Sequence, residues 1–115
     1  MIYLKKIRDA RRADLAQVIA IDAGITGLRK PAYWSGILAR YGTRQRQRYF
    51  LVAETDRAVQ GYIVGEVRDW EFGSPPCGWV FGLGVRPEAR LAGVGARLLE
   101  AISGRFRRAG VTTVR

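Results

Sequence analysis

The sequence predicts a single α/β domain over residues 1–115, with a mixed sheet and elements in the order β-α-α-β-β-β-α-β. Three observations lead there. Apolar residues recur at helical spacing in three stretches. Three β-rich runs, broken by short turn segments, lie between the second and third of these stretches. The third helical stretch also has an apolar run before it and "VTTVR" after it, the pattern of a β-α-β step.

Taken in order, "IYLKKIRDA" supplies a first strand over Leu4–Arg8. Asp14 opens a first helix, "DLAQVIAIDAG", with Leu15, Val18, Ile19 and Asp22 on one stripe and Gly24 and Gly27 ending it. Pro31 suits the first turn of a second helix, "PAYWSGILARYG", closed by Gly42. Strands over Tyr49–Thr55 and Val59–Arg68 flank "TDRA", a hairpin turn, and "SPPCG" makes the next turn. "GWVFGLGV" is apolar on both faces, which places it in the middle of a sheet. In "GARLLEAISGRFRRAG" the stripe is Leu98, Leu99, Ile102 and Phe106, with Gly110 just past the helix end. The chain must then return to the sheet, so "VTTVR" is expected to lie parallel to "GWVFGLGV".

Composition narrows the functions. With 48% apolar residues, the chain can fold around a core. The net charge of +10, from 17 arginines and three lysines against ten acids, suits a polyanionic partner: nucleic acid, a membrane surface or a phosphorylated small molecule. A high-GC genome would enrich arginine in the same way. One cysteine and no histidine exclude a disulfide framework within the chain and disfavour a zinc-type site. No apolar run approaches the roughly 20 residues that span a bilayer. "MIYLKKIRDARR" lacks the apolar core of a signal peptide. A reducing, cytoplasmic location and no membrane association are expected.

The chemistry concentrates in "VRPEARLAGVGARLLEAI". Arg90, Gly93 and Gly95 stand where a helix must start. A helix N-terminus presents unpaired N–H groups and the positive end of the dipole, and glycine lets a ligand approach the backbone closely. "RLAGVGA" therefore reads as a phosphate-binding loop or as a tightly packed β-α turn. The P-loop pattern is absent. A dinucleotide fingerprint fails twice: "GVGARL" has Leu98, and "GLGVRP" has Pro87, where the third glycine belongs.

The full stretch resembles the acetyl-CoA-binding signature of the GNAT N-acetyltransferase superfamily, roughly V-x-P-x-x-[RQ]-x-x-G-x-[GA]. Val85, Pro87, Arg90, Gly93 and Gly95 fill every defined position. The resemblance implies a GNAT-like acyl-CoA N-acyltransferase fold whose C-terminal part is missing from this sequence. It implies that the loop of Arg90, Leu91, Ala92, Gly93, Val94, Gly95 and Ala96 holds the pyrophosphate of coenzyme A. It also implies that Leu83, Gly84 and Val85 pair with the pantetheine arm, with a main-chain N–H there facing the acetyl carbonyl. Gly82 and Gly84 fit independently, because strand glycines mark a bulge or the close approach of another backbone. The implied activity is acetyl transfer from acetyl-CoA to a primary amine, on a small molecule or a protein, directly in a ternary complex.

Such transfer benefits from a base to neutralise the amine. The position where the family often carries a glutamate is Trp79 here, which leaves Glu66 and Glu71 as substitutes and Asp69 behind them; each also reads as a solvated hairpin charge. The family's usual proton donor is a tyrosine after the signature, and no tyrosine follows Tyr62. Cys77 has no histidine to activate it and reads as structural. Tyr33, Trp34 and Tyr41 line an acceptor pocket or pack a core. Arg44–Arg48, in "RQRQR", is a charged loop or an acidic-substrate contact. Trp70 and Phe72 sit at a hairpin tip, where exposed aromatics favour a partner. Two rival readings stand beside the transferase: a catalytically weak module that binds coenzyme A, and a basic nucleic-acid-binding domain, which no motif beyond charge supports. An open edge at Val111–Arg115 is expected to promote self-association.

Overall fold

A computed structural model describes residues 6–42, 47–56, 58–68 and 75–115, with Leu91 described by its backbone alone. The elements are β1 (Lys6–Asp9), α1 (Leu15–Thr26), α2 (Pro31–Tyr41), β2 (Arg48–Glu54), β3 (Val59–Arg68), β4 (Cys77–Val85) and α3 (Val94–Arg108). Short 3-10 turns at Arg12–Asp14 and Pro87–Ala92 precede α1 and α3. The strands form an antiparallel sheet in the order β1-β2-β3-β4. After α3 the chain returns as expected: Val114 bridges Gly78 in parallel. The Gly78 N–H donates to the Thr113 carbonyl at 2.8 Å, and the Val80 N–H to the Arg115 carbonyl at 2.7 Å.

Alternation along the strands builds two cores, one on each face of the sheet. Phe50, Val52, Tyr62 and Val64 face α1 and α2, packing with Val18, Ile19, Trp34 and Ile37. Leu51, Ala53 and Ile63 face α3, packing with Val94, Leu98, Ile102 and Phe106. The α3 stripe runs strictly every fourth residue, and all four of its side chains are fully buried. Leu99, expected on that stripe, lies one step around the helix and is 41% exposed. Gly24, expected to end α1, sits inside the helix; the chain leaves it at Gly27, whose N–H donates to the Ala23 carbonyl at 2.8 Å.

The expectation that β4 is central holds only in part. It lies between β3 and the returning chain over Gly78–Val80, and from there on it is the last of the four strands. Its two apolar faces meet unlike neighbours: Val85 joins the α3 core, while Phe81 packs on Tyr41 of α2 at 5.3 Å between ring centroids. Beyond Val80, no described strand pairs with its outer edge. Phe81 is also the extra residue of a bulge, since Val64 pairs with Gly82 and Gly65 with Val80. Bulges bend a strand and redirect its side chains, and this one lies where the two halves of the site meet.

Candidate functional site

Between β4 and α3 the chain passes through the 3-10 turn and then Gly93, at φ 77° and ψ 16°. Glycine takes that left-handed conformation without steric cost. Ala89 and Val94, both fully buried, fasten the turn from beneath. The Arg97 N–H donates to the Gly93 carbonyl at 3.1 Å and closes the first turn of α3. The N–H groups of Val94, Gly95 and Ala96 precede that bond, at the positive end of the helix. Space around them is open: a Cβ at Gly93 would meet nothing within 4 Å, and one at Gly95 only Val85 Cγ2 at 3.7 Å. Packing therefore does not demand the glycine at 95; its effect is to leave the helix start uncovered. Main-chain donors, positive potential and no obstructing side chain are what a diphosphate needs.

The two arginines here divide their roles. Arg86 is consumed internally: its Nε donates to the Val59 carbonyl at 2.6 Å and its Nη2 to Gln17 Oε1 at 3.2 Å, strapping the end of β4 to β3 and α1. Arg90 is exposed, held by a bond from its Nε to the Val85 carbonyl at 3.2 Å, beside the open loop.

On the α1/α2 face a cleft of about 250 Å³ opens, with Asp22, Thr26, Lys30, Tyr33 and Trp34 on one wall and Tyr62, Phe81, Gly82 and Leu83 on the other. Tyr62 is 3% exposed. Its ring lies 4.8 Å from that of Trp34, edge to face, and rests against Gly84. Burial pushes its phenol up to about 12, with the Asp22 carboxylate and Tyr33 adding to the effect, so it carries its proton throughout the neutral range. Asp22 is buried; its Oδ2 accepts from Trp34 Nε1 at 3.0 Å and pairs with Lys30 Nζ at 3.2 Å.

Of the expected bases, Glu71 lies outside the described residues, as do Asp69, Trp70, Phe72 and the Arg44–Arg46 part of "RQRQR". Glu66 stands opposite Trp79 on the sheet. Its carboxylate pairs with Arg68 Nε at 2.9 Å and Arg48 Nε at 3.8 Å; burial, and then the nearby Glu66 charge, push the Tyr41 phenol above its usual range. Glu66 is not among the described residues that line the cleft; its neighbour Tyr41 packs on Phe81, which is. Cys77 is buried, in keeping with a structural role. Trp34 serves both the core and the cleft, and Tyr33 is 46% exposed at the cleft. Sequence reasoning missed Tyr62, Lys30 and the polar role of Asp22. The available signal was Asp22 itself, a carboxylate on an otherwise apolar stripe.

A family model described as the acetyltransferase (GNAT) family matches residues 15–115. The chain belongs to the GNAT acetyltransferase family. Solved structures share its shape. A transcriptional regulator from Bacillus halodurans C-125 superposes with a TM-score of 0.82 at 16% identity, over 97% of this chain and 79% of that one. The aminoglycoside 6'-N-acetyltransferase AAC(6')-Ih from Acinetobacter baumannii gives 0.78 at 18%, over 95% and 76%. The aminoglycoside N-acetyltransferase AAC(6')-Iy, solved in complex with CoA, gives 0.73 at 20%, over 96% and 76%. At such identities the likeness is one of fold. No curated protein sequence matches the chain. In this GNAT chain the glycine loop follows directly on the β4 segment that lines the cleft. Among the described residues, no helix is long and apolar enough to cross a membrane, and no cluster of His, Cys, Asp or Glu could hold a metal ion.

Proposed function

We propose that the chain is an acetyl-CoA-dependent N-acetyltransferase that moves the acetyl group to a primary amine by direct transfer in a ternary complex. One observation carries this reading: the open helix start and the cleft converge on Phe81–Val85, whose outer edge has no described partner strand. On this reading the pyrophosphate of coenzyme A is held by the main chain from Arg90 to Ala96, through Leu91, Ala92, Gly93, Val94 and Gly95, with Arg90 adding charge-assisted bonds. On the same reading the outer edge at Leu83, Gly84 and Val85, where Arg90 Nε already bonds the Val85 carbonyl, offers its remaining main-chain groups to the pantetheine arm and an N–H to the thioester carbonyl. The amine attacks that carbonyl from the cleft, the C–N bond forms, and the C–S bond breaks.

Two proton movements remain. Tyr62 is the proposed donor to the departing thiolate, because its phenol lines the cleft and touches Gly84. Glu66 is proposed to take up the amine's proton at one remove, through Tyr41 or water. The ion pairs of Glu66 with Arg48 and Arg68 favour a second reading, a module that binds coenzyme A with little turnover. A thiol-release assay with acetyl-CoA over a panel of primary amines decides between them. Turnover lost in Tyr62→Phe supports transfer; tight coenzyme A binding with no turnover on any amine supports the module.

A further inference from the structure

We infer that Asp22 is the recognition carboxylate of the cleft, and that the acceptor it selects is a dicationic alkylamine held by the ammonium farther from the acetyl group. This rests on the reading of the cleft as the acceptor site and names the class of amine. A carboxylate placed among core side chains is costly unless its oxygens are engaged. The Asp22 side chain is only 8% exposed, yet both of its described partners, Trp34 Nε1 and Lys30 Nζ, reach the same oxygen, Oδ2. An ionised carboxylate can accept about four hydrogen bonds, so Oδ1 retains capacity on a residue that lines the cleft. Asp22 is the only carboxylate among the described cleft-lining residues, and Lys30 the only cation among them.

Lys30 shows that an ammonium fits here. Its Nζ sits 3.2 Å from the carboxylate and 5.5 Å from the centre of the Tyr33 ring, beside the indole of Trp34. A carboxylate with aromatic faces around it is a favourable environment for an alkylammonium group. The Lys30 side chain is 37% exposed and leaves from the short segment between α1 and α2, so it can swing into solvent when another cation arrives. The opposite wall, Phe81 to Leu83, is where the acylated nitrogen belongs. A cleft of about 250 Å³ therefore holds a chain with one nitrogen at β4 and a second at Asp22. On a protein with a net charge of +10, a recessed carboxylate is what allows a polycation to settle.

The test is a binding titration without acetyl-CoA, following the Trp34 indole N–H by NMR, with cadaverine and n-pentylamine as probes of equal chain length. Cadaverine should bind at least about tenfold more tightly than n-pentylamine. Asp22→Asn, whose side-chain oxygen can still accept from Trp34, should abolish that preference. Lys30→Met should strengthen cadaverine binding by removing the internal competitor. Equal affinities for the two amines, or an Asp22→Asn variant that keeps the preference, would overturn the inference. A separate thiol-release assay keeps the two readings apart. Cadaverine bound through Asp22 without acetyl transfer upholds this site and removes the transferase reading. Monoamines acetylated equally by wild type and Asp22→Asn, with no diamine preference in binding, do the reverse.

Discussion

The ring of Tyr62 lies directly on the Cα of Gly84: a methyl group at residue 84 would come within 2.5 Å of the ring carbon Cε2 and 2.7 Å of the phenol oxygen. The two residues are register partners on β3 and β4. Trp34 packs edge to face against the same ring, at 4.8 Å between centroids, and limits its room to move. Gly84→Ala should therefore cost about 1–3 kcal/mol of stability through overpacking. The single variant Tyr62→Leu and the pair Gly84→Ala with Tyr62→Leu should melt closer together than wild type and Gly84→Ala do. Thermal unfolding of the four proteins measures this coupling.

Tyr62 also makes a spectroscopic prediction. Its folded pKa is raised above the ordinary tyrosine value of 10, to about 12. The stability it contributes is complete below pH 10 and is lost as pH rises from there through 12. Ultraviolet titration of the phenols should show one group ionising near 12 that is missing in Tyr62→Phe. The same variant should lower kcat more than it raises KM for the amine, as loss of a proton donor requires.

Gly95 separates fold from cofactor. There is room for a Cβ there, and alanine is the better helix residue by roughly 0.5–1 kcal/mol. Gly95→Ala should hold or raise the melting temperature while weakening coenzyme A at the helix start. Gly93→Val adds backbone strain at φ 77°, roughly 1–2 kcal/mol, and should weaken coenzyme A at least about tenfold. Calorimetric titration showing wild-type affinity in both variants would exclude this loop as the phosphate site.

Glu66→Gln tests the remote base. If Glu66 accepts the amine's proton, the acidic limb of the pH profile of kcat/KM should disappear in the variant. A limb that instead follows the pKa of each amine in a series would show that the substrate loses its proton in solution. Glu71→Gln is the companion control.

Acid stability depends on a cluster at the start of α1. Arg8 grips Asp14 with two bonds, at 2.7 and 2.8 Å, and reaches Glu54 at 2.9 Å. Burial pushes the Asp14 carboxyl up, but the Arg8 bonds and the Arg11 N–H outweigh it and hold the carboxyl below its usual range. Arg8 likewise lowers Glu54, with burial opposing. Both carboxyls contribute stability above their unfolded values near 4, and that stability is lost as pH falls through the folded ones. Asp14→Asn should cost about 3 kcal/mol at neutral pH, by leaving Arg8 without its main partner. It should also flatten the decline below pH 4 in denaturant unfolding.

Sequence alone determined what depends on neighbours along the chain. The order of the elements, Leu98, Ile102 and Phe106 on the buried face of α3, Pro31 at the start of α2 and the glycine-opened helix start are all local patterns, set by helix and strand periodicity and by the φ values open to glycine; Leu99 instead of Val94 on that face was misjudged. The arginine and glycines of the loop were legible because the resemblance to GNAT lies within one continuous stretch. Tertiary structure decided the rest. Asp22, Lys30, Tyr62 and Phe81 meet in one cleft because α1 and α2 pack on one face of the sheet and a bulge at Phe81 sets the register between β3 and β4. That register, not any local pattern, carries Tyr62 onto Gly84. Similarly, β4 looked central because both its faces are apolar, and only the pairing of whole strands showed that its outer edge beyond Val80 has no described partner: alternation reports which faces are covered, whereas an edge is defined by hydrogen bonds to residues far away in the chain.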